Sequence, residues 1–348
     1  MYAEKTYETV GRRFTFLPLS GFSSDDGLGG GFRLAQFNYD GKTIPYARSY
    51  SLQGFFTVKG KWAHQMKADY PEIAPGNRLE IIVRLDKEDT ASFAADLTDQ
   101  ELAAYTKDEQ TFRQVDAYAA VRWIHDLSGP WRLQLRFRGG STTIDPFTTP
   151  NVIGLLAPLG HEGGWIGQVA AAVRYDTRDD YVNSKRGVLE EIEVLWGVSP
   201  GGDFNGGTLT LQHRHFKSLP ARFVFAQRYL GTYTFGDIPF YGLPKLGSSR
   251  TLRGLSADRF RDHVRLLTNT ELRWLGVKLS QRHHVFGGLN FFADVGQVFP
   301  RKKWPSADGW ETGHGLGVRL YWYSTVVRGD FGRSGSDSAL YMRFAQIF

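Results

Sequence analysis

The 348-residue chain has no cysteine, and no apolar run approaches the roughly 18 residues that a membrane-spanning helix needs. Without cysteine there are no disulfides, no thiol catalysis and no cysteine metal sites. The compartment stays open, because a chain without thiols suits oxidising and reducing surroundings alike. Without a long apolar run there is no transmembrane helix. A membrane is still possible, since a transmembrane barrel carries its apolar residues at every second position. The opening stretch MYAEKTYETVGRRF lacks the apolar centre of a signal peptide. Either the protein is not exported or the chain is a mature or trimmed form. A clustered basic surface is also lacking. The net charge is +6, yet Lys and Arg stand singly within alternating segments, without the stripe that a phosphate backbone requires. Nucleic acid is therefore not an expected partner.

Glycine and aromatic residues are plentiful. Forty Gly and an aromatic share of 14% favour strands and turns over helices. Period-two alternation recurs from end to end. In RGVLEEIEVLWGV, Ile192, Val194 and Trp196 oppose Glu191 and Glu193. In RLLTNTELRW, Leu266, Thr270, Leu272 and Trp274 oppose Arg265, Asn269, Glu271 and Arg273. In ALYMRFAQIF, Leu340, Met342, Phe344 and Phe348 oppose Tyr341 and Arg343. Turn signals such as Asp40-Gly41, Pro75-Gly76, Ser128-Gly129, Pro200-Gly201 and Ser334-Gly335 separate the segments.

The pattern predicts strands at 14–23, 29–39, 48–60, 61–73, 77–88, 111–127, 131–144 and 165–177. It continues with 186–198, 204–219, 221–236, 263–275, 285–299, 313–322, 325–331 and 339–348. These sixteen are mostly near or above the roughly 9–11 residues that cross a bilayer. A soluble β-sandwich, the alternative, buries its apolar face between two sheets and rarely uses so many long strands. The polar face here carries Glu191, Glu193, Glu271, Arg273, Asp294, Arg319 and Arg343, which suits a wet lumen rather than a packed core. Trp62, Trp131, Trp165, Trp196, Trp274 and Trp322, near strand ends, suit the aromatic girdles at membrane interfaces.

The expected fold class is all-β, a transmembrane antiparallel β-barrel of about 16 strands. Residues 1–13 form a short N-terminal periplasmic segment and residues 14–348 the barrel. With both termini in the periplasm, the short turns DLSGP, KSLPA and YST are periplasmic. The long connections 89–110, 145–164, 237–262 and 300–312 are then extracellular, the asymmetry of outer-membrane barrels. TDQELAAYTKDEQ, in the first long connection, suits a short helical turn.

Four stretches, in order, resemble the BamA/TamA superfamily of outer-membrane assembly and secretion barrels, also called bacterial surface antigens. YDTRDDYVNSKRG (175–187) is similar to a family turn, through Asp176, Thr177, Arg178, Asp179, Arg186 and Gly187. LGSSRTLRGLSADRF (246–260) resembles the loop-6 motif Val-Arg-Gly-Phe or Val-Arg-Gly-Tyr, with Leu252 and Leu255 in place of Val and the aromatic. NFFADVGQVF (290–299) resembles the Phe-x-Asp-x-Gly strand. The C-terminus, with Tyr341, Phe344 and Phe348, resembles the signal by which barrel proteins are recognised for insertion.

The resemblance implies that the tip of extracellular loop 6 folds into the lumen. Alternation puts Asp294 on the inward face with Asn290 and Gly296, and Glu271 inward on the preceding strand. Arg253 then has carboxylates to meet, in the bidentate geometry that arginine favours. Gly254 lets the backbone approach the wall. Without the resemblance, Arg253 reads as a solvated loop arginine. The 176–179 turn reads equally as an Asx-type turn with alternating charge.

Other constellations point away from catalysis and metals. His213 and His215 share one strand face without an apparent third ligand, and interface histidines are the commoner reading. His283-His284 alternate faces in a periplasmic turn. GLGGGF and GHGLGV lie in β-patterned segments, where glycine against a barrel wall outweighs a phosphate loop. GRSGSD is no nucleophile elbow. No enzyme, cofactor or metal is expected.

The resemblance implies insertion or translocation of polypeptides at the bacterial outer membrane, through the lumenal loop and an openable seam between first and last strands. Pro18 and Gly21 in FTFLPLSGFS weaken that pairing. Expected partners are outer-membrane lipid and lipopolysaccharide, polypeptide clients or a periplasmic partner, around a monomeric barrel. Where the family carries periplasmic POTRA domains, only residues 1–13 stand here. That favours a passive pore or structural anchor, or the barrel portion of a larger protein. A secretion pore of a two-partner system is a third expectation.

Overall fold

The alternating segments pair with their sequence neighbours, each hairpin closing one more position of a cylinder. The computed structural model describes residues 10–91, 104–106, 108–280, 285–322, 325–344 and 346–348. Within them one closed antiparallel barrel contains β1 (Val10–Ser23), β2 (Gly27–Asp40), β3 (Arg48–Thr57), β4 (Trp62–Ala74), β5 (Asn77–Ala91), β6 (Thr111–Asp126), β7 (Trp131–Pro146) and β8 (Gly163–Asp176). It continues through β9 (Gly187–Val198), β10 (Asn205–Ser218), β11 (Phe223–Asp237), β14 (Val264–Ser280), β15 (Val285–Phe299), β16 (Glu311–Trp322), β17 (Thr325–Ser334) and β18 (Asp337–Phe344). The two-residue strands β12 (Lys245–Leu246) and β13 (Phe260–Arg261) pair with each other inside the β11–β14 connection. The expected sixteen-stranded barrel is the fold, with the long connections at one rim and the short turns at the other.

The chemistry of the two faces is inverted relative to a soluble protein. Asn269, Glu271, Arg273, Asn290, Asp294, Arg319, Arg328 and Asp330 are buried on the inward face. Outside, Ile192, Val194, Trp196, Phe291, Val318 and Trp322 are between 45% and 59% exposed. Such a belt is stable only against lipid. No described helix is long and apolar enough to cross a membrane; the strands cross it.

Several boundaries differ from the alternation; β14, for one, runs to Ser280 where the pattern ends at 275. β1 begins at Val10, so residues 10–13 belong to the barrel and not to a periplasmic segment. Val10, Gly11, Arg12 and Arg13 pair with Asp40, Tyr39, Asn38 and Phe37 of β2. β3 stops at Thr57, because the chain turns at Gly60 with φ +85°. β18 stops at Phe344 instead of running to Phe348. Of the helical turn expected at 98–110, residues 104 and 108–110 lie in turns, 105–106 are not helical, and the rest lies outside the described residues, as does His283-His284.

The ladder is uneven around the cylinder. β1 pairs with β2 at fourteen positions, from Val10↔Asp40 to Ser23↔Gly27. With β18 it pairs at two, Phe22↔Met342 and Ser23↔Tyr341. Beyond them, Ser24 N donates to Leu340 O (3.1 Å), Leu340 N donates to Ser24 Oγ (2.9 Å), and Arg343 Nη2 reaches Asp26 Oδ2 (3.3 Å). The segment Val10–Gly21 has no β18 partner among the described residues. Its Val10, Phe14 and Phe16 are 75%, 75% and 66% exposed.

Candidate functional site

The β11–β14 connection, residues 238–263, reaches the inward-facing side chains of the wall. Its tip carries Arg253, whose side chain is fully buried. The guanidinium donates to Asp294 through Nε (to Oδ2, 2.8 Å) and Nη2 (to Oδ1, 2.8 Å), the planar bidentate fit that lysine cannot make. Its third nitrogen, Nη1, donates to Glu271 Oε1 at 2.5 Å. Arg253 N adds a backbone bond to Asp294 Oδ2 (3.0 Å), and the guanidinium carbon lies 3.5 Å from the centre of the Phe292 ring. Burial alone lowers the Arg253 pKa, but Asp294 and Glu271 more than reverse this, and it stands above the ordinary arginine value.

Arg253 belongs to a larger buried network. Glu271 also accepts from Arg273 Nε (2.7 Å) and Asn290 Nδ2 (3.0 Å). Asp294 Oδ1 accepts from Asn269 Nδ2 (2.7 Å). Asp330 takes Arg319 Nη1 (2.6 Å) and Arg328 Nη1 (2.7 Å), and stands 3.8 Å from Arg253 Nη1. Five buried guanidiniums, those of Arg228, Arg253, Arg273, Arg319 and Arg328, thus meet three carboxylates, those of Glu271, Asp294 and Asp330. Part of the excess is matched by carbonyl dipoles of the loop itself. Arg228 Nη2 donates to Arg250 O (2.7 Å) and Arg328 Nη2 to Ser249 O (2.7 Å). Asn269 Nδ2 adds Thr251 O (2.7 Å).

Close approach completes the seat. Gly254 has φ +102°, a conformation that L side chains rarely adopt, and a Cβ there meets the backbone of Arg333 and Ser334. On the wall side, a Cβ on Gly313 or Gly332 runs into the backbone of Arg253. Tyr341 Oη accepts from Gly254 N (3.3 Å) and donates to Leu255 O (3.0 Å). The departures from the aromatic motif are accommodated by packing. Leu252 and Leu255 bury themselves with Leu246 and Leu267.

Arg253, Gly254, Asp294 and Glu271, expected as one constellation, are together. Four contributors were not expected there: Arg228, Arg328, Asp330 and Gly332. Tyr341, expected as part of an insertion signal, is 1% exposed beneath the loop. Phe344 faces outward, 39% exposed. Phe348, expected outward by parity, instead lies inward, 8% exposed, with its ring 6.1 Å from Phe216. The Arg273 and Arg228 guanidiniums lie 5.1 and 5.4 Å from its centre, and these contacts outweigh strand continuation.

The 176–187 motif forms a self-contained staple at the short-turn rim. Arg178 chelates Asp176 through Nε (2.8 Å) and Nη2 (2.9 Å). Asp179 Oδ1 accepts from Lys185 N (2.8 Å) and Arg186 N (3.2 Å). Thr177 and Val188 exchange bonds through Thr177 N to Val188 O (2.9 Å) and Val188 N to Thr177 Oγ1 (3.0 Å). Gly187, at φ +99°, allows this because a Cβ would strike Thr177 O. Arg186 joins no carboxylate within the turn; its Nε donates to Ser218 Oγ of the neighbouring hairpin (3.3 Å). His213 and His215 stack at 6.4 Å, and no group of metal-ligating residues occurs among the described residues.

Residues 76–331 match the family model described as the Omp85 superfamily domain. Among solved structures, BamA from Haemophilus ducreyi lacking POTRA domains 1–3 superposes with a TM-score of 0.69 at 12% identity, covering 96% of this chain and 70% of that one. CdiB from Escherichia coli gives 0.64 at 10% identity, covering 95% and 62%. CdiB from Acinetobacter baumannii gives 0.61 at 11%, covering 96% and 59%. The chain therefore spans about six-tenths of the CdiB proteins it matches. No curated protein matches it in sequence.

Proposed function

The chain belongs to the Omp85 superfamily and is an outer-membrane β-barrel, and from that premise we propose that it promotes insertion or translocation of polypeptides. The observation that carries the proposal is the seam. Two ladder positions join β1 to β18, while Val10–Gly21 keeps a strand edge without a partner from β18. Such an edge is a template for pairing with an incoming strand. The buried network supplies the complement, because it holds the loop tip to the wall on the β18 side of the seam. The reading involves no enzymatic step and no cofactor.

The native absence of cysteine makes the test clean. The doubly substituted Ser24→Cys/Leu340→Cys barrel, whose parent residues hydrogen-bond across the seam, is compared oxidised and reduced for its ability to insert a model outer-membrane strand protein into liposomes. Oxidation abolishes insertion and reduction restores it. Equal insertion in both states refutes a role for the seam. A secretion pore is the second reading, favoured by the likeness to the CdiB barrels. In planar bilayers it gives conductance that rises in Arg253→Ala and is unchanged by locking the seam.

A further inference from the structure

The lipid-facing side of a barrel wall is ordinarily apolar through the depth of the membrane, because polar and charged groups there are costly. One sector departs from this. The outward positions of β11 pass from Phe225 through Gln227, Tyr229 and Gly231 to Tyr233. The ladder sets His213 of β10 and Thr268 of β14 beside Tyr229, and Glu190 of β9 beside His213. His213 Nδ1 lies 2.6 Å from Glu190 Oε1, and Glu190 is 48% exposed. One row nearer the short turns, Thr270 Oγ1 donates to Gln227 Oε1 (2.8 Å), beside His215. Lys217 continues the outward face of β10 toward that rim.

One row toward the long loops lie Ile192, Leu211, Gly231 and Leu266, aligned across the same four strands. They line a groove of about 590 Å³, within the range of small-molecule sites, and Trp310 is also part of its lining. The connection carrying Trp310 rests on the outer wall, where Gln297 Nε2 donates to Ser306 O (3.3 Å) next to the Leu266 register. The floor is open because Gly231 has no side chain; a Cβ there meets only Leu266, at 3.8 Å. With strands about 4.8 Å apart, a trough across four strands is roughly 14 Å long.

We infer that this groove is a binding site for one phospholipid whose headgroup carries a primary amine. Lipid is the solvent on this face, and an apolar trough of that length takes a stretch of acyl chain. Its polar end offers the carboxylate of Glu190, which lines the groove, for an ammonium. A primary ammonium, as in a phosphoethanolamine headgroup, has N–H groups to donate there. A choline headgroup has no N–H to donate to Glu190, and a glycerol headgroup has no cation. The site lies on β9–β14, far around the cylinder from the β1–β18 seam, and is independent of the insertion reading.

Native mass spectrometry of the detergent-extracted barrel, supplied with phosphatidylethanolamine, phosphatidylglycerol or phosphatidylcholine, tests it. The wild type retains a single phosphatidylethanolamine, about tenfold in preference to the other two. Gly231→Leu fills the trough with little demand on the backbone and lowers retention of every lipid about tenfold. Glu190→Gln keeps total retention but abolishes the headgroup preference. Heat-modifiable gel migration confirms that each variant is folded. Unchanged retention in folded Gly231→Leu, or no lipid retained by the wild type, overturns the site. A dimer mass that disappears in Gly231→Leu assigns the groove to a second copy and equally overturns it.

Discussion

Removing the Arg253 side chain is the sharpest perturbation that the lumenal network allows. Arg253→Ala deletes three charge-assisted hydrogen bonds, two to Asp294 at 2.8 Å and one to Glu271 at 2.5 Å. The two carboxylates do not suffer equally. Glu271 keeps Arg273 and Asn290, whereas Asp294 keeps only the neutral Asn269 and backbone donation from residue 253. Breaking a buried pair from one side costs about 3–5 kcal/mol, because a desolvated charge remains. We expect Arg253→Ala to fall in that range and Asp294→Ala to match it. The double variant costs less than the sum by about 2–3 kcal/mol, since neither orphan charge is then left. Arg253→Lys recovers only part of the loss, because one ammonium cannot serve both carboxylates in the same plane. The assay is urea unfolding of the folded barrel in detergent, followed by tryptophan fluorescence and gel migration. Limited proteolysis across 248–260 reports local release of the tip. Single variants costing under about 1 kcal/mol, or additive losses in the double, refute the pairing as an anchor.

Three further expectations follow from other contacts. Gly332→Ala places a methyl group against the Arg253 backbone and destabilises by roughly 1–3 kcal/mol, whereas Gly231→Ala, whose Cβ meets only Leu266 at 3.8 Å, is near neutral in the same urea assay. Phe348→Ala loses a buried ring and two guanidinium contacts and costs about 3 kcal/mol, more than Phe344→Ala on the outward face; the reverse order refutes the inward placement. In the β1–β2 turn, burial raises the Asp25 pKa above its ordinary 3.8. The folded state therefore binds that proton more tightly. Its contribution favours folding below the ordinary value and is lost as pH rises from there through the raised pKa, and Asp25→Asn removes this component from the pH profile of unfolding.

Period-two alternation made the barrel legible because each wall residue has only two environments, lipid or lumen. Glu191, Glu193, Glu271, Arg273, Asp294 and Arg319 all lie on the expected inward face. Parity could also bring Arg253 within reach of Asp294 once a resemblance placed the loop tip inside. It could not say where a strand stops. The alternation that reads Phe348 as outward is intact, but Phe216, 132 positions earlier in the chain, captures the ring. Gly332 gave no warning for a related reason. Glycine in a strand signals close approach, but not what approaches, and its partner Arg253 lies 79 residues away in sequence. Asp330 and Arg328 escaped notice because their importance comes from a shared cluster across five strands, β11 and β14–β17, rather than from local spacing.

The distribution of the loop contacts constrains how the barrel can open. Among the described residues, the wall bonds of the tip land on Arg228 of β11, on Asn269, Glu271 and Asp294 of β14 and β15, on Arg328 of β17 and on Tyr341 of β18. None of these bonds goes to β1, β2 or β3. The bridges across the seam are few and exposed by comparison: two ladder positions, the Ser24–Leu340 bonds and the partly exposed Arg343–Asp26 pair. An exposed pair of that kind contributes at most about 1 kcal/mol, against several for each buried partner of Arg253. Parting β1 from β18 therefore leaves the loop anchored, and β11–β18 move with it as one body. The two perturbations should accordingly separate. Asp26→Ala raises the rate at which a thiol reagent reaches Cys introduced at Ser23 without lowering the urea midpoint much. Arg253→Ala does the opposite, and equal effects on both readouts in the two variants refute the separation.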